Sequence, residues 1–181
     1  HNFVKGVKWS PDGLCLLTNS EDDVLRLFEV PSDVLSSATR DASAPASEMS
    51  PVLFASCGES VYDFAWFPPM QSSQPQTCCF ATTSRDQPIT LWDAFTGQPR
   101  AMYRAFDAMD ELTSAISLAF SPDGKWLYSG FNKCVRVFDV SRPGRDCETR
   151  NTLRTSKHGK KRQRHGQAGL ISCIDASPDG T

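Results

Sequence analysis

The amino-acid sequence predicts an all-β fold built from a repeated four-stranded unit. Three observations support this prediction: a recurring turn tetrapeptide, short alternating apolar runs around it, and a spacing between units of about 55 residues. The tetrapeptide Ser-Pro-Asp-Gly occurs at residues 10–13, 121–124 and 177–180. Proline presets the first turn dihedral, aspartate bonds to nearby backbone and glycine accepts positive φ, so each copy is expected to form a tight turn.

Short runs that alternate between apolar and polar residues flank these turns and indicate antiparallel strands. In the first unit the strands are predicted at residues 3–9, 14–18, 24–29 and 52–55. A copy without the tetrapeptide fills the gap in the spacing, because Pro68 and Pro69 replace the tight turn there; its strands are predicted at 62–67, 79–83, 89–93 and 100–103. The third unit repeats the order at 115–120, 126–130, 135–139 and roughly 150–153.

Four strands per unit, with a Trp-Asp pair closing the third strand, are typical of a β-propeller blade. The pair stands at Trp92 and Asp93, and Phe138 with Asp139 is its degenerate counterpart. We therefore predict a WD-repeat β-propeller, as a fragment of about three blades plus the first strand of a fourth. The predicted parts are residues 1–58 with a loop at 31–50, 59–104, 105–153, a basic loop at 154–169, and the start of blade four at 170–181.

Several polar and aromatic positions of the blades are interpreted as structural rather than binding positions. In propellers, an aspartate in the turn before the third strand often ties neighbouring blades together, and Asp86 or the Asp22-Asp23 pair fits that place. We assign structural roles to Asp86, Trp92, Asp93, Phe138 and Asp139.

Composition and motifs argue against an enzyme. The sequence contains no G-x-G-x-x-G, G-x-S-x-G, H-E-x-x-H or P-loop pattern. Its seven cysteines include no C-x-x-C pair, so neither zinc spacing nor any other metal site is predicted. Most of them lie in strand-like stretches, as expected of buried free thiols in a reduced compartment. We expect no cofactor, no small-molecule substrate and no membrane segment.

Positive charge is concentrated in the second half of the chain. Residues 1–95 contain 5 Lys/Arg and 12 Asp/Glu, whereas residues 96–181 contain 14 and 9. Residues 154–165, RTSKHGKKRQRH, hold six of the 19 basic residues and no acid. Such a segment attracts phosphate or acts as a nuclear localisation signal, and a solvated surface loop is the alternative.

In a propeller, the connections between blades share one face with the turns between second and third strands. Basic residues at those places are therefore expected on a common RNA-binding face. The candidates are Arg85, Arg104, Lys133, Lys157, Lys160, Lys161, Arg162 and Arg164.

Four stretches resemble the telomerase Cajal body proteins, a family of WD-repeat proteins. They are NFVKGVKWSPDG, YDFAWF, the segment at 84–124 that contains WDAFTG, and SGFNKCVRVFDVSRPGRDCE with its RPGRDC turn. The resemblance is colinear over nearly the whole chain. It departs at residues 154–166, which are longer and more basic than is usual in the family, and in the loop at 31–50.

The resemblance implies a larger propeller with further blades after residue 181 and a non-catalytic protein of the nucleus and the Cajal body. It also implies binding to small Cajal body RNA and telomerase RNA, and partners that include telomerase and H/ACA ribonucleoprotein components such as dyskerin. An RNA role for the basic segment follows from its charge and not from the family. The alternative is a protein-only WD-repeat interaction scaffold in the nucleus, in which the basic segment is an import signal.

Overall fold

Consecutive strands pair in three four-stranded antiparallel sheets in the computed structural model of the chain, which describes residues 2–35, 48–158 and 161–179. Blade one contains β1 (Val4–Trp9), β2 (Cys15–Ser20), β3 (Val24–Glu29) and β4 (Leu53–Ser56). Blade two contains β5 (Val61–Trp66), β6 (Cys79–Ser84), β7 (Ile89–Asp93) and β8 (Pro99–Tyr103). Blade three contains β11 (Ser117–Phe120), β12 (Trp126–Gly130), β13 (Cys134–Asp139) and β14 (Glu148–Asn151).

Two hairpins form two-stranded sheets of their own. One pairs β9 (Ala105–Phe106) with β10 (Leu112–Thr113), and the other pairs β15 (Leu153–His158) with β16 (Lys161–Gly166). The only regular helical pieces in the described ranges are one turn at Ser32–Leu35 and a 3₁₀ turn at Pro75–Thr77. The predicted all-β fold class is confirmed. No helix in the described part of the chain has the length and apolar character that a membrane crossing requires.

The apolar core lies between successive blades. One cluster joins blade one to blade two and includes Leu17, Leu25, Phe64 and Phe80. A second joins blade two to blade three and includes Tyr103, Leu118, Leu127 and Phe138. Because strands alternate their side chains between two faces, the apolar positions of each sheet supply contacts to the neighbouring sheet.

The Ser-Pro-Asp-Gly turns at 10–13 and 121–124 connect the first and second strands of their blades as the sequence predicts. In blade one, the Ser10 hydroxyl donates to Asp12 Oδ1 at 2.7 Å and accepts from the backbone N–H of Cys15 at 2.9 Å. Gly13 has φ of 73°, which a residue with a Cβ adopts rarely. The same bonds recur in blade three, since the hydroxyl of Ser121 bridges Asp123 and the N–H of Trp126.

The basic loop predicted at 154–169 is wrong, because most of that segment forms the β15–β16 hairpin. Antiparallel strands pair through backbone groups alone, so polar residues can form a hairpin. Such a hairpin lacks the alternation of apolar and polar residues from which strands are predicted. The β9–β10 hairpin was missed for a different reason: its strands have only two residues each, which is too short for an alternating pattern to be recognised.

The first strand of a fourth blade, expected near residues 170–174, is not formed in the described residues. Leu170 makes a single bridge to Asn132, and the N–H of Ile171 donates to the carbonyl of Phe131 at 3.0 Å. The backbone of this segment is thus bonded to the β12–β13 turn of blade three, and the described residues offer it no second strand.

Residues 71–77 connect β5 to β6 and are held to blade two. They contain the 3₁₀ turn, and the guanidinium of Arg100 donates to the carbonyls of Pro75 and Gln76 at 2.8 and 2.7 Å. Of the predicted loop at 31–50, residues 36–47 lie outside the described residues.

Candidate nucleic-acid interface

The β15 and β16 strands carry half of the predicted RNA-binding residues. Its register pairs Lys157 with Arg162, His158 with Lys161 and Thr155 with Arg164. Lys160 lies outside the described residues. Four of the eight candidates therefore lie on two adjacent strands whose backbones are about 5 Å apart.

The base of this hairpin is bonded to the turn that carries Lys133. The N–H of Lys133 donates to the carbonyl of Gly169 at 2.8 Å, and the carbonyl of Lys133 accepts from the N–H of Thr152 at 2.9 Å. Thr152 in turn donates through its hydroxyl to the carbonyl of Gln167 at 3.1 Å. Lys133 itself has φ of 63° and an exposed side chain. The structure thus brings Lys133 next to the two ends of the basic hairpin.

Arg104 lies at the end of β8, on the same end of the blades as the Lys133 turn. Its N–H donates to the carbonyl of Gly144 at 2.7 Å, which fixes the backbone of Arg104 against the loop after β13. Its exposed guanidinium lies 3.7 Å from the sulfur of Met102. Within the described residues, neither Arg104 nor Lys133 is paired with a carboxylate.

Arg85 differs from these two residues because its guanidinium is already paired with a carboxylate. Its Nε and Nη2 donate to Glu59 Oε2 at 3.2 and 2.9 Å; Arg85 is exposed and Glu59 is partly buried. The hydrogen bond to Glu59 raises the pKa of the Arg85 guanidinium. A phosphate that approached Arg85 would have to compete with Glu59 for the same donors.

The Trp-Asp positions contact residues of their own blade. The indole of Trp92 is buried and donates to the hydroxyl of Thr82 at 2.8 Å. Asp93 accepts from the N–H groups of Phe95 and Thr96 and from Arg100, so it orders the turn before β8.

The corresponding pair in blade three behaves in the same way. Phe138 is fully buried, and Asp139 accepts from the N–H of Ser141 at 2.9 Å. Asp86 lies exposed in the β6–β7 turn with φ of 56°.

A carboxylate that does bridge the blades is Asp63, which the sequence reasoning did not single out. Its Oδ2 accepts from the N–H of Leu118 in blade three at 2.8 Å, and its Oδ1 accepts from the ammonium of Lys8 in blade one at 3.1 Å. Asp63 thus joins the first strands of three successive blades. Its position inside an alternating run gave no signal by which to find it.

The thiols and acids of the described residues form no candidate metal centre. No group of three or more His, Cys, Asp or Glu side chains in these ranges has metal-binding geometry. Burial raises the pKa of the Cys15, Cys57 and Cys79 thiols to about 11, which keeps them protonated at neutral pH.

The comparison with protein families identifies the repeat. The family model described as "WD domain, G-beta repeat" matches residues 1–29 and 110–139, which contain the first three strands of blades one and three. The chain is a WD-repeat protein. Its antiparallel four-stranded sheets are blades of a WD-repeat β-propeller.

Curated relatives of this WD-repeat chain cover almost all of it. It is 51% identical over 98% of its length to "Telomerase Cajal body protein 1" of Mesocricetus auratus, and 49% identical over 98% to the protein of that name from Homo sapiens. It is 43% identical over 81% of its length to "Telomerase Cajal body protein 1 homolog" of Drosophila melanogaster. The resemblance found in the sequence is therefore confirmed. The chain spans 31%, 30% and 27% of the length of these three relatives.

Proposed function

We propose that this chain forms part of a non-catalytic RNA-binding scaffold of the nucleus and the Cajal body. In this proposal it recognises small Cajal body RNAs and telomerase RNA and directs their ribonucleoproteins to Cajal bodies, which supports telomere maintenance. Telomerase and H/ACA ribonucleoprotein proteins such as dyskerin are the proposed partners. The names of the relatives support this assignment, since they mention both telomerase and the Cajal body.

The observation that carries the RNA-binding part is the anchoring of the basic hairpin beside Lys133. The N–H of Thr152 donates to the carbonyl of Lys133, and the N–H of Lys133 donates to the carbonyl of Gly169. These two bonds hold the two ends of the hairpin against the β12–β13 turn. Basic residues of β15 and β16 would then meet the phosphates of one RNA segment together with Lys133. Phosphate contacts position an RNA, whereas contacts to unstacked bases select its sequence.

Salt dependence tests the role of the hairpin. Each phosphate contact to a single strand contributes about 0.7 to the slope of log K against log salt. Replacing Lys160, Lys161, Arg162 and Arg164 with alanine in the full-length protein should lower the magnitude of that slope by about 2 to 3 for telomerase RNA. If both the slope and the affinity were unchanged, the hairpin would not be part of the RNA interface.

The chain offers a matched comparison among its single cations. Lys133→Ala should weaken RNA binding about threefold to tenfold, because the side chain has no carboxylate partner in the described residues. Arg85→Ala should have a smaller effect, since Glu59 already holds that guanidinium. Glu59→Gln should strengthen binding by freeing Arg85. Equal losses for Lys133→Ala and Arg85→Ala would contradict the distinction.

The second candidate function is a protein-only WD-repeat scaffold, in which residues 154–165 serve as a nuclear address. Nuclease treatment of crosslink-free nuclear extracts separates the two. Partners held through RNA are lost after treatment, whereas partners of a protein-only scaffold remain. Sequencing of RNA crosslinked to the complete protein should recover H/ACA-type RNAs that share a short loop motif if the first proposal holds.

A further inference from the structure

A pocket of about 310 Å³ lies between blades one and two, at the end of the blades where the β1–β2 and β3–β4 connections are. Its position follows from its lining, because Cys15 begins β2, Glu29 ends β3 and Leu53 begins β4. The turns between second and third strands, which include the Lys133 turn, lie at the opposite end of the blades. The pocket is therefore separate from the proposed RNA interface.

The walls of the pocket are apolar. Leu27 and Leu53 come from blade one, and Met70, Cys78 and Ala94 come from blade two; all five side chains are buried. Walls of this kind offer few hydrogen bonds to a ligand. They therefore favour an apolar group over a sugar or a phosphate.

Two large apolar side chains at the same pocket are exposed. Phe95, in the connection after β7, is 58% exposed, and Val52, just before β4, is 54% exposed. An aromatic and an aliphatic side chain left in water beside an apolar pocket are typical of a surface that a partner covers.

Hydrogen bonds fix the two sides of the pocket before any partner arrives. The carboxylate of Asp93 accepts from the N–H groups of Phe95 and Thr96 at 2.8 and 2.9 Å, which orders the turn that presents the Phe95 ring. On the other side, the N–H of Ser72 donates to Asp12 of blade one at 2.7 Å. A site that is already ordered loses less conformational entropy on binding.

The charge at the pocket is negative. Among the described residues that line it, Glu29 has the one charged side chain; it is exposed and has no ion pair in the described part of the chain. Burial is the largest cause of the raised pKa of the Cys15 thiol, and the carboxylates of Asp12 and Glu29 raise that pKa further. A cation beside the apolar group is therefore favoured.

The chain's own long connection does not line this pocket in the described residues. The segment at 31–50 leaves β3 and returns to β4 beside it. Its side chains Val34, Leu35 and Met49 are exposed, and none of them lines the pocket. Residues 36–47 contain no valine, leucine, isoleucine, methionine or aromatic residue, so they offer no apolar side chain of the size that the pocket accepts.

We propose that this pocket binds a linear peptide segment of a partner protein, with a bulky apolar side chain between the walls and a lysine or arginine next to it in sequence. The apolar side chain packs against Phe95 and Val52, and the cation pairs with Glu29. This inference goes beyond the proposed RNA role, because it adds a protein-recognition site at the other end of the blades.

The probe is a fluorescein-labelled peptide, Gly-Ser-Lys-Phe-Lys-Ser-Gly, whose binding to the full-length protein is measured by anisotropy. It should bind about tenfold more tightly than matched peptides with Glu-Phe-Glu or Lys-Ala-Lys at the centre. Phe95→Ala should weaken binding about fivefold or more by removing the exposed ring. Glu29→Lys should reverse the preference, so that the Glu-Phe-Glu peptide binds more tightly than the Lys-Phe-Lys peptide.

Two control variants lie in the β9–β10 hairpin. Met109→Ala removes an exposed apolar side chain and Glu111→Gln removes an exposed acid, and both should leave binding unchanged. Failure of the Lys-Phe-Lys peptide to bind the wild type, or binding without reversal by Glu29→Lys, would overturn the proposal. Equal weakening by Phe95→Ala and Met109→Ala would also overturn it.

Alkylation with N-ethylmaleimide, read by mass spectrometry, places the peptide on the protein. Cys15 lines the pocket and is partly buried, whereas Cys173 is exposed and remote from it in sequence. The Lys-Phe-Lys peptide should slow the alkylation of Cys15 several-fold and leave that of Cys173 unchanged. Faster alkylation of Cys15 after deletion of residues 36–47, without protection by the peptide, would assign the pocket to the chain's own segment and overturn the proposal.

Discussion

The junction between blades one and two differs from the junction between blades two and three at one matched position. In the second junction, Thr83 donates across the gap to Ala115 and the rings of Phe67 and Phe120 meet edge to face at 5.8 Å. In the first junction, the indole of Trp66 donates to the carbonyl of Lys8 at 3.2 Å, but Asn19 makes no crossing bond.

This difference shows that successive blades can keep the same strand order while the contacts between neighbouring blades differ from one junction to the next. The sheet ladders pair strands only within a blade. Hydrogen bonds from one blade to the next are made by individual side chains and by a few backbone groups, such as the N–H of Arg104 and the carbonyl of Gly144. The two junctions therefore differ in which side chains cross them: Thr83 bonds across the second junction, whereas Asn19 Oδ1 at the matched position of the first makes no hydrogen bond in the described residues. The predictions below test the side chains that cross each junction.

The largest effect is expected at Asp63, which serves both junctions. Asp63→Ala should lower the free energy of unfolding by about 2–3 kcal/mol, because it leaves the buried N–H of Leu118 without an acceptor and Lys8 without its partner. Urea unfolding of the full-length protein measures this change. Asp63→Asn keeps one acceptor oxygen and should cost less. A loss below about 0.5 kcal/mol for the alanine variant would show that the junctions hold without this bridge.

An intermediate effect is expected at the sealed junction. Thr83→Val preserves shape but removes the hydroxyl, so the buried carbonyl of Ala115 loses its donor. The expected cost is about 1–2 kcal/mol, read from the midpoint of thermal or urea unfolding. Thr83→Ser keeps the donor and serves as the control. If valine and serine behaved alike, the crossing bond would contribute nothing.

The smallest effect concerns Asp12, which joins the turn of blade one to blade two by accepting from the N–H of Ser72 at 2.7 Å. Burial alone would raise its pKa, but hydrogen bonds from Ser72 and Ser10 outweigh burial and lower the pKa to about 2, from an ordinary value of 3.8. The stabilisation is therefore complete above pH 4 and is lost as pH falls towards 2.

Asp12→Asn should cost about 1 kcal/mol at neutral pH after allowance for solvent screening, and should flatten the loss of stability between pH 4 and pH 2. Asp123 is the control, since its pKa is also about 2 but its bond to Ser121 lies within its own turn. Unfolding curves at a series of pH values make the comparison. A larger effect of Asp123→Asn would contradict the importance of the bond between blades.

The fold could be predicted from the sequence because its signals are local. The turn tetrapeptides, the alternating runs and the Trp92-Asp93 pair each report on a few consecutive residues. The β15–β16 hairpin could not be found in this way, because its residues are polar on both sides. The segment at 170–174 has a strand pattern, yet its backbone is bonded to the β12–β13 turn.

The candidate site was predictable only as a set of charges. Sequence position placed Arg85, Arg104 and Lys133 at the same end of the blades, which the structure also shows. It could not show that Glu59 neutralises Arg85, or that Asp63 bridges three blades, since both contacts join residues distant in sequence. The buried, unbonded Oδ1 of Asn19 could not be predicted for a similar reason, since burial and hydrogen bonding depend on residues distant in sequence.

The length of the β15–β16 hairpin determines how far its basic residues lie from the charges of the blades. Strands of six residues extend about 20 Å from their anchored base. At physiological ionic strength a charge is screened over about 8 Å. The far part of the hairpin is therefore more than two screening lengths from the base, and the acidic first half of the chain weakens its attraction for a distant polyanion very little.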